Sequence, residues 1–165
     1  MNSIAILIIF YFGWFVCVHT HNIFGALIGI LLTFLNIYII KMTFRKIAVM
    51  FFLAMFGYLT DALAFYLNIY EFNNHSNFFS IHNLWIFSIW LLFVSTFESS
   101  LKYLNNINLF VVSILGMFGG LGSYIIIAKM HVITFSFPIL SYVFICSIWA
   151  ILLPALFKIY QKTSK

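Results

Sequence analysis

Residues 1–40, MNSIAILIIFYFGWFVCVHTHNIFGALIGILLTFLNIYII, contain no Asp, Glu, Lys or Arg, and this stretch decides the fold. A helix that spans a bilayer takes about 20 residues, so a single span cannot hold the whole stretch. Its one polar interruption is His19-Thr20-His21-Asn22. We therefore predict a helical hairpin, with helix 1 near Ile4 to Val18 and helix 2 near Ile23 to Ile40.

The composition of the whole chain agrees with a membrane environment. Of 165 residues, 65% are hydrophobic and 7% are charged, whereas about a quarter of the residues in a soluble domain are charged. Six spans would use roughly 120 residues and leave only short loops. We therefore predict one transmembrane domain over residues 1–165. The formal net charge of +5 does not form a single patch, so we expect no nucleic-acid partner.

The remaining apolar runs complete an all-α, polytopic integral membrane bundle of six transmembrane helices. A mixed polar and aromatic segment, Glu71 to Asn83, is expected to lie in the headgroup zone. The four further helices are predicted at Ile47 to Tyr70, Leu84 to Tyr103, Ile107 to Ala128, and Val132 to Phe157.

The basic residues predict the orientation of the bundle. With a cytoplasmic N-terminus, seven of the eight Lys and Arg residues fall inside, and only Lys129 falls outside. Such an asymmetry favours a single orientation with both termini in the cytoplasm. The seven inner residues are Lys41, Arg45, Lys46, Lys102, Lys158, Lys162 and Lys165.

Asp61 is the most informative residue, because it lies inside an apolar segment, about ten residues from the predicted outer end of helix 3. That position is roughly 15 Å deep by helical rise. A carboxyl group at such a depth should face the bundle interior, and be paired or protonated. We predict a buried polar site built from Asp61, Ser95, Thr96, Ser123 and Tyr124. Two interpretations stay open, a proton acceptor or polar anchor for a ligand, and a purely structural hydrogen-bond network.

Two further groups of polar residues, a Glu–Lys pair and the histidines, lie outside the predicted site. Glu98 and Lys102 have the favourable i,i+4 order and predict an interfacial ion pair. The five histidines all fall on the outer side, where a zinc or copper site or a pH sensor is an alternative. Their spacing matches no compact metal motif, so we assign no metal. They are His19, His21, His75, His82 and His131.

Glycine patterns in helices 2 and 5 predict close helix packing. An unwound turn near Gly119 to Gly122 is the alternative. No nucleophile elbow, phosphate loop, dinucleotide fingerprint or haem motif is present, so no catalytic residue and no cofactor are assigned.

Short motifs across nearly the whole chain resemble a family of small bacterial membrane proteins known as domain of unknown function 2878. They include Gly13-Trp14-Phe15, Gly57 to Asp61, Trp90-Leu91-Leu92-Phe93, Gly119-Gly120 with Ser123-Tyr124, and Leu153-Pro154. Gly122 stands where the family usually has a proline. The resemblance implies a location in the bacterial inner membrane and no established activity, with a slight preference for membrane-lipid chemistry.

The sequence therefore leaves three hypotheses for function. The leading hypothesis is a protein that binds or helps to modify a membrane lipid or another hydrophobic small molecule at the site around Asp61. The second is a small proton-coupled transporter that uses Asp61, and the third is a non-catalytic assembly subunit. The oligomeric state is not predicted.

Overall fold

The computed structural model describes residues 2–163. Within that range six helices are long and apolar enough to cross a membrane, the fourth being extended by a 3-10 turn at each end. The predicted all-α, six-helix polytopic bundle is therefore confirmed. The helices are α1 (Asn2–Thr20), α2 (Ile23–Ile40), α3 (Phe44–Tyr66), α4 (Leu84–Ser95), α5 (Leu109–Lys129) and α6 (Pro138–Thr163).

The first helical hairpin forms as predicted, and α2 has the predicted bounds. The side chain of Asn22 accepts hydrogen bonds from the backbone N–H groups of Phe24 (2.9 Å) and Gly25 (3.3 Å). Such a cap satisfies the free donors at a helix start. At the other end Lys41 adopts the left-handed conformation, with φ 56°, which is a common way to end a helix.

Two short strands, β1 (Tyr70–Phe72) and β2 (Ile133–Phe135), pair antiparallel with Tyr70 opposite Phe135. The prediction of Tyr70 in helix 3 and of Ile133 to Phe135 in helix 6 is therefore wrong. The helices before the strands stop because Asn68 and His131 adopt positive φ values of 55° and 58°. The pairing joins the two loops on one face of the bundle.

The predicted helix 4, Leu84 to Tyr103, was also too long. The α-helix ends at Ser95 and is followed by 3-10 turns at Thr96–Glu98 and Lys102–Asn106. Between these turns the hydroxyl of Ser100 donates a hydrogen bond of 2.5 Å to the backbone carbonyl of Ser3 in α1. This contact holds the irregular segment against the start of α1.

Successive helices alternate in direction, so the helix ends and loops form two opposite faces of the bundle. The basic face contains the start of α1 and the ends of α2 and α6, and the opposite face contains Lys129 and both strands. Lys165, one of the seven residues in the charge count, lies outside the described residues. The assignment of the basic face to the cytoplasm stays a prediction. The basic face carries Lys41, Arg45, Lys46, Lys102, Lys158 and Lys162.

The helices pack as two groups. In one group α2 packs against both α1 and α4, and α3 packs against α4. In the other, α5 packs along α6, and α6 contacts α3. Within residues 2–163 no extensive packing joins α5 to α1 or α4. The resulting gap between the two groups positions the site described next.

Candidate functional site

Asp61 connects three helices through its carboxyl group. The side chain lies in α3 and the residue is 9% exposed. Its Oδ2 atom accepts a hydrogen bond of 2.7 Å from the indole N–H of Trp90 in α4, and its Oδ1 atom accepts one from the hydroxyl of Tyr124 in α5. Both partners are neutral groups, and within residues 2–163 no salt bridge to Asp61 forms.

The three residues lie at the same level, near the opposite face. Asp61 is five residues before the end of α3, Tyr124 is five before the end of α5, and Trp90 is six after the start of α4. At 1.5 Å per residue, these positions are about 7.5 to 9 Å from the helix ends. The predicted separation of about ten residues was wrong, because α3 ends at Tyr66.

Asp61 does not bond to the serine and threonine hydroxyls of the predicted site. Ser95, Thr96 and Ser123 each donate instead to a backbone carbonyl three or four residues earlier in the chain, at 2.6 to 2.9 Å. Hydroxyls inside helices commonly satisfy themselves in this way. Ser95 and Thr96 also lie five and six residues beyond Trp90, roughly 8 to 9 Å further along the chain by helical rise. Of the four predicted partners, only Tyr124 reaches the carboxyl group.

Ser95 belongs to a second polar contact. Its hydroxyl accepts a hydrogen bond of 2.9 Å from the side-chain amide of Asn36, which is fully buried between α2 and α4. This contact joins two helices that do not carry Asp61. The predicted site is therefore divided into two separate polar contacts.

Trp90 was not predicted as a site residue. Its indole occupies space that a glycine in α3 leaves free. A Cβ atom at Gly57 would overlap the Trp90 indole, and one at Gly120 would overlap the indole of Trp149. The two indoles stack, with ring centroids 5.3 Å apart and planes 11° apart. Because α5 is continuous over Leu109–Lys129, Gly119 to Gly122 do not form an unwound turn. Gly116 and Gly120 serve close packing against α6.

Beside Asp61 lies a cavity of about 300 Å³ between α1, α4 and α5. Tyr70 and Ile133 of the strands line one end, and Leu101, Tyr103 and Leu104 line the other end near the basic face. Its α5 wall extends from Leu115 to Ile127, about 18 Å by helical rise. Ser123 lines it, whereas Ser95 and Thr96 do not. Other lining residues are Phe10, Trp14, Trp85, Phe93, Gly116, Gly119 and Gly120.

The cavity opens sideways, toward the region that lipid would occupy. Tyr11 and Leu115 line it from near the middle of α1 and from the first half of α5, and they are 64% and 46% exposed. Exposed lining residues this far from the helix ends place the opening between α1 and α5.

Tyr70 in β1 lines the cavity beside Asp61 and Tyr124. Its hydroxyl donates a hydrogen bond of 3.2 Å to the backbone carbonyl of Asp61, and its ring packs edge to face on Tyr124 at 5.6 Å. Burial raises the pKa of the Tyr70 phenol well above its ordinary value. Tyr70 is therefore a neutral hydrogen-bond donor at physiological pH.

The arrangement gives Asp61 a defined proton position. An indole N–H can only donate, so Oδ2 is an acceptor in either protonation state. A proton on Asp61 therefore lies on Oδ1, where it is shared with the hydroxyl of Tyr124, which can donate or accept. The hydrogen bond from Trp90 thereby fixes the orientation of the carboxyl group.

Glu98 forms a separate cluster at the basic face. The Nζ atoms of Lys46 and Lys102 lie 2.7 Å and 3.8 Å from its Oε1 atom, and the hydroxyl of Tyr160 donates to Oε2 at 3.2 Å. The contact with Lys102 is thus present, but Lys46 is the closer partner. This cluster ties the start of α3 and the end of α6 to the segment after α4.

The five histidines lie on the opposite face and are exposed, but they do not converge. Among the residues that the structure describes, no group of three His, Cys, Asp or Glu side chains could hold a metal ion. The alternative of a metal site at His19, His21, His75, His82 and His131 therefore has no geometric support.

Comparison with known proteins gave one result. The model of a family described as "Protein of unknown function (DUF2878)" matches residues 3–155. No curated protein and no solved structure matches the chain.

Proposed function

The chain belongs to this family of unknown function, DUF2878, and we propose a function from the geometry of the site itself. The protein binds a hydrophobic molecule taken from the bilayer, a membrane lipid or another hydrophobic small molecule, in the cavity beside Asp61. The polar group of that molecule contacts the carboxyl group of Asp61, and its apolar part lies along α5.

The observation that supports this proposal is the sideways opening of the cavity beside a buried carboxyl group. A volume of about 300 Å³ is at the lower end of the range for small-molecule sites. Such sites combine an apolar wall with a few polar groups that set the orientation of the ligand. Here Asp61, Tyr124 and Ser123 are polar groups in a wall that is otherwise mainly apolar.

The same geometry favours this function over the two other hypotheses. A transporter needs a polar path to each face, whereas the residues that line this cavity are mainly apolar, and Asp61, Ser123 and Tyr124 provide its polar groups near one end. An assembly subunit needs only a filled core, whereas this bundle contains a cavity beside Asp61.

The proposal also keeps both termini in the cytoplasm of a bacterium, as the distribution of basic residues predicts. Asp61, near the opposite face, then lies in the outer half of the inner membrane. Any modification of the bound molecule by the Asp61–Tyr124 pair would take place at that level.

Two glycines of α5 provide a matched test. A Cβ atom at either Gly119 or Gly122 would meet no atom within 4 Å, but only Gly119 lines the cavity. A leucine at either position should therefore be accepted by the fold, and leucine is a better helix former than glycine. Gly119→Leu fills part of the cavity, and Gly122→Leu is its control.

Native mass spectrometry of protein purified in a mild detergent measures occupancy. We expect a hydrophobic molecule bound to the wild type and to Gly122→Leu, and at least a tenfold lower occupancy for Gly119→Leu. Equal occupancy in all three proteins, or none in the wild type, would contradict the proposed function.

A further inference from the structure

The cavity contains a carboxyl group but no basic side chain to pair with it. Asp61 is the only acidic residue among its lining residues, and no Lys, Arg or His of the described chain lines it. The two donors on Asp61, Trp90 and Tyr124, are neutral. An ionised carboxylate in apolar surroundings without a positive partner costs several kcal/mol. A ligand that carries a positive charge would supply the missing partner.

The walls of the cavity favour the same ligand charge. Eleven of the 24 lining residues are aromatic, and Tyr70, Trp90, Tyr124 and Trp149 are grouped around the carboxyl end. Aromatic faces attract organic cations, most strongly when water is excluded. Each carboxylate oxygen can accept more than one hydrogen bond, so Asp61 retains acceptor capacity beyond its two present donors.

The shape of the cavity restricts the rest of the ligand. A volume of about 300 Å³ spread over about 18 Å of α5 describes a long and narrow space. Along it, a Cβ atom at Gly119 would meet no atom within 4 Å, which leaves room for an extended chain. An extended single chain fits this space better than a broad ring system.

From these three observations we propose that the site takes a single-chain amphiphile with a protonated amine. The ammonium group binds at Asp61 against the aromatic rings, and the hydrocarbon chain runs along α5 toward Leu104. This inference rests on the proposed function and adds the charge and shape of the ligand to it.

Two probes of equal chain length test the charge. Dodecylamine is protonated at neutral pH and dodecanol is neutral, and both can be titrated against the purified protein in detergent micelles by native mass spectrometry. We expect the wild type to bind the amine at least tenfold more tightly than the alcohol. In Asp61→Asn, which keeps the shape but not the charge, this preference should disappear, while Gly122→Leu should retain it.

The outcomes distinguish an error in the proposed ligand charge from an error in the proposed function. If the wild type binds both probes equally and Gly119→Leu weakens both, the amine assignment is refuted and the hydrophobic site stands. If Gly119→Leu binds both probes as tightly as Gly122→Leu does, the probes do not enter the cavity. The proposed function is then refuted as well. The comparison of the two probes in the wild type does not depend on any variant folding.

Discussion

Replacing Asp61 by two different residues separates the structural role of its carboxyl group from its chemistry. In Asp61→Ala, the indole N–H of Trp90 and the hydroxyl of Tyr124 both lose their acceptor. In Asp61→Asn, the amide oxygen can accept from Trp90 and the amide N–H can donate to the oxygen of Tyr124. The alanine variant should therefore be destabilised much more than the asparagine variant.

The expected magnitudes follow from interhelical hydrogen bonds in membranes. Such bonds contribute about 0.6 kcal/mol on average and up to about 1.7 kcal/mol. Both bonds of Asp61 are buried, and a buried donor without a partner adds its own penalty. We therefore expect Asp61→Ala to lower the free energy of unfolding by about 2 to 3 kcal/mol. Asp61→Asn should lower it by less than about 1 kcal/mol.

Unfolding by sodium dodecyl sulfate in mixed micelles, followed by far-UV circular dichroism, measures both values. Gly122→Leu serves as a control for substitution near the same level of the bundle. An alanine variant as stable as the wild type would refute the role of Asp61 in joining α3, α4 and α5. An asparagine variant as unstable as the alanine variant would show that stability depends on the acid itself and not on the hydrogen bonds.

Three further predictions concern other parts of the bundle. Gly57→Ala should lower the free energy of unfolding by about 1 to 3 kcal/mol, because the new methyl group overlaps the indole of Trp90. Thermal unfolding in detergent measures this change. Lys46→Ala should destabilise the protein more than Lys102→Ala in the same assay, because Lys46 is closer to Glu98 and less exposed; the reverse order would contradict this. The third prediction uses a variant without native cysteines, treated in intact cells with a membrane-impermeant maleimide. Lys129→Cys should react and Lys102→Cys should not. The opposite labelling would reverse the predicted orientation.

The helices could be predicted from the sequence because each depends on local composition. Charge-free residues 1–40 require a hairpin, and Asn22 is a residue type that caps helices. The strands could not be predicted in this way. Each has three residues, too few to show a period, and the pairing of Tyr70 with Phe135 joins distant parts of the chain.

The site could be predicted only in part for a related reason. Asp61 and Tyr124 stand out as polar groups in apolar segments. Trp90 resembles the other tryptophans of the chain, and its hydrogen bond depends on how α3 and α4 are rotated about their axes. The signal that could have found it is Gly57, one helical turn before Asp61 on the same face, which leaves space for a large ring. Ser95 and Thr96 were wrongly included because sequence does not show the depth of a hydroxyl in a bundle.

An experimental density map of the protein in lipid nanodiscs, obtained by electron cryo-microscopy with a bound antibody fragment, shows directly whether a ligand lies beside Asp61. We expect elongated density between α1 and α5 that ends at the carboxyl group of Asp61. A map in which α1 packs directly against α5, leaving no space beside Asp61, would contradict it.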